Sequence, residues 1–399
     1  MIKGLLRKTI KALKALLTRK IRIECDCIPY SFDDVPLKKI INWILVEVGI
    51  HFKSKSAWGM PTHVQLEPST HCNLRCALCP VTEGMERPTG YMSMDMFKRF
   101  VDDAADYLFL ILMWDWGEPF MNPNIYDMIS YAKQKGISVV SSTNGHLFAR
   151  EENAEKLVQS GIDSIIVAVD GITQDTYGLY RRLGKLDVAL DAIRNIVAKK
   201  KEMDSDTPLV NLRFVVMKHN EDEISTLKKV ARDLGVDALS LKTLNPYSND
   251  MYCEKRALNK KVYDSFIPKE EVYRRFQYVE EGDLKLRVRR APPCKSLWNT
   301  PTIHWDGTVC ICTYDYNEMY VLGDISKEGL GHVWQGETYR RVRRQFRESW
   351  EQLRLCRHCS YSYEGGSCWN ETIAEVYYSP HQAEIFSNPD NRRKVKALV

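Results

Sequence analysis

Cys72, Cys76 and Cys79 fall in one short run, His71-Cys72-Asn73-Leu74-Arg75-Cys76-Ala77-Leu78-Cys79-Pro80. Thiolates this close in sequence can converge on a single centre, and iron–sulfur clusters are held by such runs. A four-iron cluster with three protein ligands has one iron unclaimed, and an open position on a metal is where a reactant binds. Of the twelve cysteines, nine sit in three tight pairs and one triplet. Disulfides rarely need such spacing, which favours metal or cluster binding over stapling. The chemistry these residues suggest is redox chemistry.

The elements around the triplet follow a strand–helix alternation. Val64 to Glu67 reads as a short strand leading into the cysteine loop. Met94 to Tyr107 reads as a helix with Ser93 as N-cap. Strands are expected at Leu108 to Trp114, Ile137 to Ser141, Ser164 to Val169, Val210 to Met217 and Ala238 to Leu241. Helices are expected at Ile125 to Lys135, stopping at Gly136, at Glu151 to Gln159, in a stretch ending near Lys201, and at Ile224 to Leu234. Near-continuous apolar strands separated by helices imply a parallel sheet covered on its outside. Functional residues in such folds gather at the C-terminal ends of the strands. The cysteine loop follows the first strand. Trp116-Gly117-Glu118-Pro119 follows the second, Thr143-Asn144-Gly145 the third, and Asp170-Gly171 closes the fourth, so four polar or cysteine-rich turns converge on one rim.

The expected fold is α/β, a partial (β/α)6 TIM-like barrel at residues 62–245. Residues 1–61 form an N-terminal helical extension, 246–290 a connector, 291–370 a small cysteine-rich domain with a hairpin about Asp306-Gly307, and 371–399 a tail. At 399 residues the chain can bury a sizeable core. A net charge of +5 does not argue for nucleic acid. The sequence has no secretory signal and no stretch long and apolar enough to span a bilayer, so the expected location is cytoplasmic. Residues 1–22 carry Lys3, Arg7, Lys8, Lys11, Lys14, Arg19, Lys20 and Arg22, with no acid before Glu24. Ile2, Leu5, Leu6, Ile10, Leu13, Leu16, Leu17 and Ile21 recur at helical spacing. This basic amphipathic helix either packs its apolar face on the protein or lies peripherally in an anionic membrane surface.

Cys72-x3-Cys76-x2-Cys79 after a first strand resembles the radical S-adenosylmethionine (SAM) superfamily. The resemblance implies that the open iron of a 4Fe-4S cluster binds the amino and carboxylate groups of SAM. Its reductive cleavage then gives a 5′-deoxyadenosyl radical that abstracts substrate hydrogen. It implies a reducing partner such as flavodoxin or ferredoxin. Trp116-Gly117-Glu118-Pro119 resembles the motif that holds the SAM amino group, and Ser142-Thr143-Asn144-Gly145 resembles a turn beside the nucleoside. Val167-Ala168-Val169-Asp170-Gly171 with Tyr180-Arg181 resembles the strand-four SAM contacts. Gly117, Glu118, Ser142, Asn144, Asp170 and Arg181 are therefore the expected SAM-binding residues. Two positions depart from the family: Leu78 stands where an aromatic residue often packs near the adenine, and Ala168 where a serine often begins the strand-four motif.

Cys294, then Gly307-x4-Cys312, then Cys356-x2-Cys359 resembles the twitch domain, the shortened relative of the SPASM domain. The resemblance implies that Cys294, Cys312, Cys356 and Cys359 saturate a second, auxiliary 4Fe-4S cluster. Such a cluster has no site for substrate and can accept the electron left on a substrate radical, which a dehydrogenation needs. A zinc ribbon would use similar cysteine spacing. Cys310 and Cys368 could be buried and inert, Cys310 could replace Cys312 as ligand, and either could give a hydrogen atom to a substrate radical in an epimerase or a peptide-modifying enzyme. Cys25, Cys27 and Cys253 read as structural, the first two outside the barrel. The arginines at 340, 341, 343, 344 and 347 read as a solvated helix face, and His304 and Trp305 as packing residues. Three functions follow: a radical SAM oxidoreductase; a redox-neutral epimerase or peptide-modifying enzyme; and a zinc-binding scaffold without catalysis. The substrate could be a small molecule, a peptide or a lipid-linked compound.

Overall fold

Alternating apolar strands and amphipathic helices fold into one continuous sheet with helices on its outer face. The computed structural model describes residues 2–25, 28–245, 264–274, 276–278, 284–286, 294–357, 359 and 372–377. The chain opens with helix α1 (Ile2–Thr18), a hairpin of β1 (Ile21–Cys25) and β2 (Ile28–Phe32), and helix α2 (Leu37–Phe52). Six parallel strands follow in sequence order: β3 (His63–Leu66), β4 (Leu110–Leu112), β5 (Ser138–Thr143), β6 (Ser164–Ala168), β7 (Leu209–Val216) and β8 (Ala238–Thr243). Helices α3 (Met94–Ala104), α4 (Ile125–Gln134), α5 (Glu151–Gln159), α6 (Gln174–Tyr180), α7 (Leu186–Glu202) and α8 (Ile224–Asp233) connect them. The Ser93 side chain accepts a bond from the Met96 amide and caps α3. Gly136, at φ +70, ends α4 in a conformation that favours glycine.

The two faces of the sheet pack differently. Val64, Ile111, Val139, Ile165, Val167, Leu212, Phe214 and Leu239 point outward into the main core, against Phe97 and Phe100 of α3 and Ile193 and Ile196 of α7. Each such fully buried side chain stabilises the fold by roughly 1.5–3 kcal/mol. Leu110, Leu112, Val140, Ile166 and Ala238 point inward and meet Cys25, Ile28 and Tyr30 of the β1–β2 hairpin. Tyr30 Oη also shares a hydrogen bond with Ser164 Oγ. The hairpin thus fills the inner face of the sheet, and the N-terminal extension is not purely helical. Cys25 therefore lies inside the partial barrel, contrary to its expected place outside it. A hairpin with alternating burial on β1 supplies the apolar side chains that the inner face lacks. Cys27 and Cys253 lie outside the described residues.

The cysteine-rich C-terminal segment continues the same sheet. After the short strands β9 (Phe276–Tyr278) and β10 (Leu284–Leu286), β11 (Thr302–Ile303) pairs parallel with β3, placing Thr302 opposite Gln65. β12 (Thr308–Cys310) and β13 (Val321–Asp324) add antiparallel to that edge, with the expected hairpin turn at Gly307 (φ +97). At the other edge β14 (Thr372–Tyr377) pairs antiparallel with β8, so part of the expected tail is a strand. The expected single helix ending near Lys201 is instead α6 and α7. The break at Gly184 is tight: a Cβ there would meet the Arg181 carbonyl oxygen at 2.8 Å. It frees Arg181 from the helix.

Arg343, expected on a solvated face, is fully buried. Its Nε donates to the Leu297 carbonyl and its Nη1 to the Trp334 carbonyl, and its guanidinium stacks on Trp334 and Tyr339. Rings and carbonyls replace water around it. A buried ion pair joins the segment after the cysteine loop to the β11–β12 hairpin. Arg87 grips both Glu67 oxygens and donates to the Tyr316 carbonyl, while the Trp305 amide donates to Glu67. Removing one partner of such a pair strands a buried charge. Arg87→Met is expected to cost roughly 3–5 kcal/mol. Arg87→Met with Glu67→Gln should recover most of that loss, measured by denaturant unfolding of both variants.

Candidate functional site

The turns at the C-terminal ends of β3 to β6 are tied to one another by hydrogen bonds. The Glu118 amide donates to the His71 carbonyl at 2.8 Å, linking the turn after β4 to the cysteine loop. Gly117 sits at φ +93, and a Cβ there would lie 2.4 Å from the Ser69 carbonyl oxygen, so only glycine allows this approach. The Glu118 carboxylate is buried. It accepts from the Asn144 amide (2.8 Å), Thr143 Oγ1 (2.8 Å) and the Phe120 amide (3.4 Å), clamping the turn after β5 to the turn after β4. Asn144 Nδ2 reaches Asn73 Oδ1 at 2.7 Å and Cys72 Sγ at 4.0 Å. Arg181 Nε pairs with Asp170 Oδ2 at 2.6 Å while its Nη1 lies 3.7 Å from Cys76 Sγ. The other oxygen of Asp170 accepts from the Val215 amide of β7.

Glu118, Asn144 and Arg181 are thereby brought to the cysteine loop with Gly117. Asp170, fully buried, touches Arg181 and β7. Ser142 lies on β5 opposite Ile166, one residue before the clamped turn. Leu78 adopts φ +62 between Cys76 and Cys79, a left-handed conformation uncommon for a non-glycine residue. Its side chain packs on a cluster of Ala77, Met217, Leu244 and Phe266.

Burial pushes the Cys72 thiol up to about 11 and the Cys79 thiol to about 12, with Cys76 adding to both. Cys312 and Cys356 are raised well above the ordinary thiol value by burial and then by the other cysteines of their set. Thiols crowded in this way become thiolates together only around a highly charged cation. Among the described residues, Glu67, Asp115 and His304 bring three ligand atoms within 4.8 Å of one another. The Glu67 group is not a metal site of comparable quality, because Arg87 already occupies both Glu67 oxygens.

Cys294, Cys312, Cys356 and Cys359 all line one cavity of about 280 Å³. Its wall also includes Tyr180, Leu112, Trp114, Arg213, Lys242 and Cys25. Tyr180 precedes Arg181, and its carbonyl accepts the Ala77 amide of the cysteine loop at 2.8 Å. The cavity therefore runs from the edge of the first cysteine set to the second. Cys310 is not in this wall. It is fully buried, with its sulfur 3.7 Å from His304 Nδ1, which separates it from the four cavity cysteines. Cys368 lies outside the described residues. Arg213 and Lys242 alternate with apolar residues on β7 and β8 and escaped sequence reading, because a charged residue inside a strand carries no motif. Only the inward-facing register of those strands could have flagged them.

Burial raises the Glu118 carboxyl from its ordinary 4.5 to about 7. A folded-state value raised above the unfolded one gives stability that is fully present below the unfolded value and lost as pH rises through the folded one. The unfolding midpoint of the SAM-free protein should accordingly fall as pH rises from about 4.5 to about 7 and level off above that. Glu118→Gln is expected to flatten that fall, measured by thermal unfolding at fixed ionic strength.

Residues 66–231 match the radical SAM superfamily, and residues 294–360 match the SPASM iron–sulfur cluster-binding domain. The chain is 26% identical over 300 residues to the tungsten-containing aldehyde ferredoxin oxidoreductase cofactor-modifying protein of Pyrococcus furiosus, covering 69% of this chain and 82% of that one. It is 23% identical over 340 residues to the antilisterial bacteriocin subtilosin biosynthesis protein AlbA of Bacillus subtilis, covering 84% of this chain and 72% of that one. Among solved structures, Streptococcus suis SuiB bound to precursor peptide SuiA superposes with a TM-score of 0.53 at 15% identity, covering 79% of this chain and 74% of that one. This likeness concerns the fold.

Proposed function

Given that the chain belongs to the radical SAM superfamily and carries a SPASM iron–sulfur domain, we propose that it is an oxidoreductase in which a substrate held between two clusters loses a hydrogen atom to the 5′-deoxyadenosyl radical, a proton to solvent and an electron to the auxiliary cluster. The observation that carries this reading is the single cavity shared by Tyr180, beside the first cysteine loop, and by Cys294, Cys312, Cys356 and Cys359. Cys72, Cys76 and Cys79 would hold the SAM-binding 4Fe-4S cluster, with Gly117, Glu118, Ser142, Asn144 and Arg181 around SAM. When bound, SAM and the reduced cluster supply a 5′-deoxyadenosyl radical that takes one hydrogen atom from the substrate.

The protein's own residues perform the remaining tasks. Arg181, held by Asp170, sets the charge beside Cys76. The Glu118 clamp holds Asn144 against Cys72. Leu112 and Trp114 supply apolar wall that keeps water from a reactive centre. The four auxiliary cysteines would hold their cluster at the cavity wall they line, where it would take up the electron left on the substrate. The relatives that modify a cofactor or take part in subtilosin biosynthesis favour a small molecule or a peptide side chain as substrate. A flavodoxin or ferredoxin would supply the reducing electron. Cys310 is buried away from the cavity wall, which weighs against its use as hydrogen donor in an epimerase.

The test is anaerobic turnover of the reconstituted holoenzyme in heavy water with peptide and small-molecule candidates. Product lighter by two hydrogens, formed in step with 5′-deoxyadenosine and without solvent deuterium, is the expected outcome. Solvent deuterium on carbon in a product of unchanged oxidation state would replace this reading with epimerisation.

A further inference from the structure

The two N-terminal helices turn apolar side chains away from the protein. α1 meets the rest of the chain through Lys8, paired with Glu47 at 3.4 Å, Lys11 over the Trp43 ring, and Ala15, packed with Ile21, Val35, Ile40 and Trp43. At 100° per residue these positions share one side, and Ile10, Leu13 and Leu17 fall on the other. They are 56%, 54% and 83% exposed. Of the two arrangements open from sequence, an apolar stripe packed on the protein is therefore not the one adopted by these residues. α2 lies antiparallel beside α1, and its Leu37, Ile41 and Leu45, spaced by four, are exposed as well. At its C-terminal end, the exposed ring of Phe52 pairs with that of Trp58, centroids 6.1 Å apart.

Charge selects the occupant. Residues 1–58 contain twelve Lys or Arg and five Asp or Glu, a net +7, against +5 for the whole chain. All of the protein's positive excess thus lies in the segment that carries the exposed apolar stripes. A second copy would bring two such segments together in mutual repulsion. Among the described residues no helix is long and apolar enough to cross a membrane. Exposed Leu and Ile flanked by Lys and Arg, with Trp and Phe at one end, is the pattern of a helix lying in a lipid interface. We propose that α1 is a docking surface for an anionic lipid bilayer, with Ile10, Leu13 and Leu17 entering the acyl boundary and Lys14, exposed beside them, facing the headgroups. This surface is independent of the chemistry in the barrel.

The test is flotation of the reconstituted full-length holoprotein with vesicles of phosphatidylcholine alone or of equimolar phosphatidylcholine and phosphatidylglycerol. Binding to the anionic vesicles at least about tenfold stronger, and weakened by salt, is expected. Leu13→Glu/Leu17→Glu should reduce it about tenfold or more, whereas Ile41→Glu/Leu45→Glu, on the side of α2 turned away from α1, should leave it within about twofold. Both pairs are exposed, and unchanged iron content and SAM cleavage would show that the variants are folded. Equal flotation of the wild type and Leu13→Glu/Leu17→Glu, or no flotation of the wild type, overturns the proposal. So does a dimer in vesicle-free solution that Leu13→Glu/Leu17→Glu disperses, since that result assigns the stripe to a second copy.

Discussion

Replacing Cys72, Cys76 and Cys79 together by Ala is expected to leave a folded protein with roughly four of its about eight irons and no detectable 5′-deoxyadenosine formation. The fold should survive because the loop is also held by the Glu118 amide on the His71 carbonyl and by the amides of Arg75 and Ala77 on the carbonyls of Arg182 and Tyr180. SAM cleavage should fall by more than about 10³-fold, equivalent to about 4 kcal/mol or more of lost barrier lowering. Iron and sulfide counts after anaerobic reconstitution, with chromatography of the nucleoside product, check both parts. Loss of all the iron would contradict a protein with two separately held clusters.

Cys356→Ser/Cys359→Ser should produce the complementary result. Half of the iron is again lost, but SAM cleavage persists within about threefold while oxidised product falls by more than about 100-fold, near 3 kcal/mol. The cavity geometry explains the split. The mutated residues lie on the wall with Cys294 and Cys312, whereas Gly117, Glu118, Asn144 and Arg181 surround the other cysteine loop. The ratio of nucleoside to oxidised product reads the effect. Unchanged coupling would show that the second cluster is structural, and the electron would need another exit.

Much of the barrel was legible because its strands are short, apolar and separated by well-marked helices. α5 falls at Glu151–Gln159 as expected, and the Ser93 cap and Gly136 stop sit where side-chain chemistry requires them. The expected strand at Leu108 to Trp114 shrinks to Leu110–Leu112. Apolarity marks burial, and Leu108, Phe109 and Met113 are buried just outside the strand, where Phe109 and Met113 still bond the backbone of Thr62, Ser138 and Val140. The β1–β2 hairpin was missed for a related reason: with α1 running into it, Ile21 continues the helical spacing. Arg343 shows the same limit for charge, since nothing local distinguishes an arginine between Trp334 and Tyr339 from its exposed neighbours.

The sequence by itself determined the cofactor chemistry. Three cysteines within eight residues, and four more with ribbon-like spacing, are local facts of residue type and separation, and a strand–helix alternation with turns at one end follows from local periodicity. Tertiary structure decided what those groups face. It put Glu118 under the Asn144 turn, turned Arg181 toward Cys76, opened one cavity between Tyr180 and the four C-terminal cysteines, and left the α1 stripe outward. These are contacts between residues tens to hundreds of positions apart. They depend on sheet curvature, register and helix rotation, which the summed packing of the whole chain sets and no local pattern encodes.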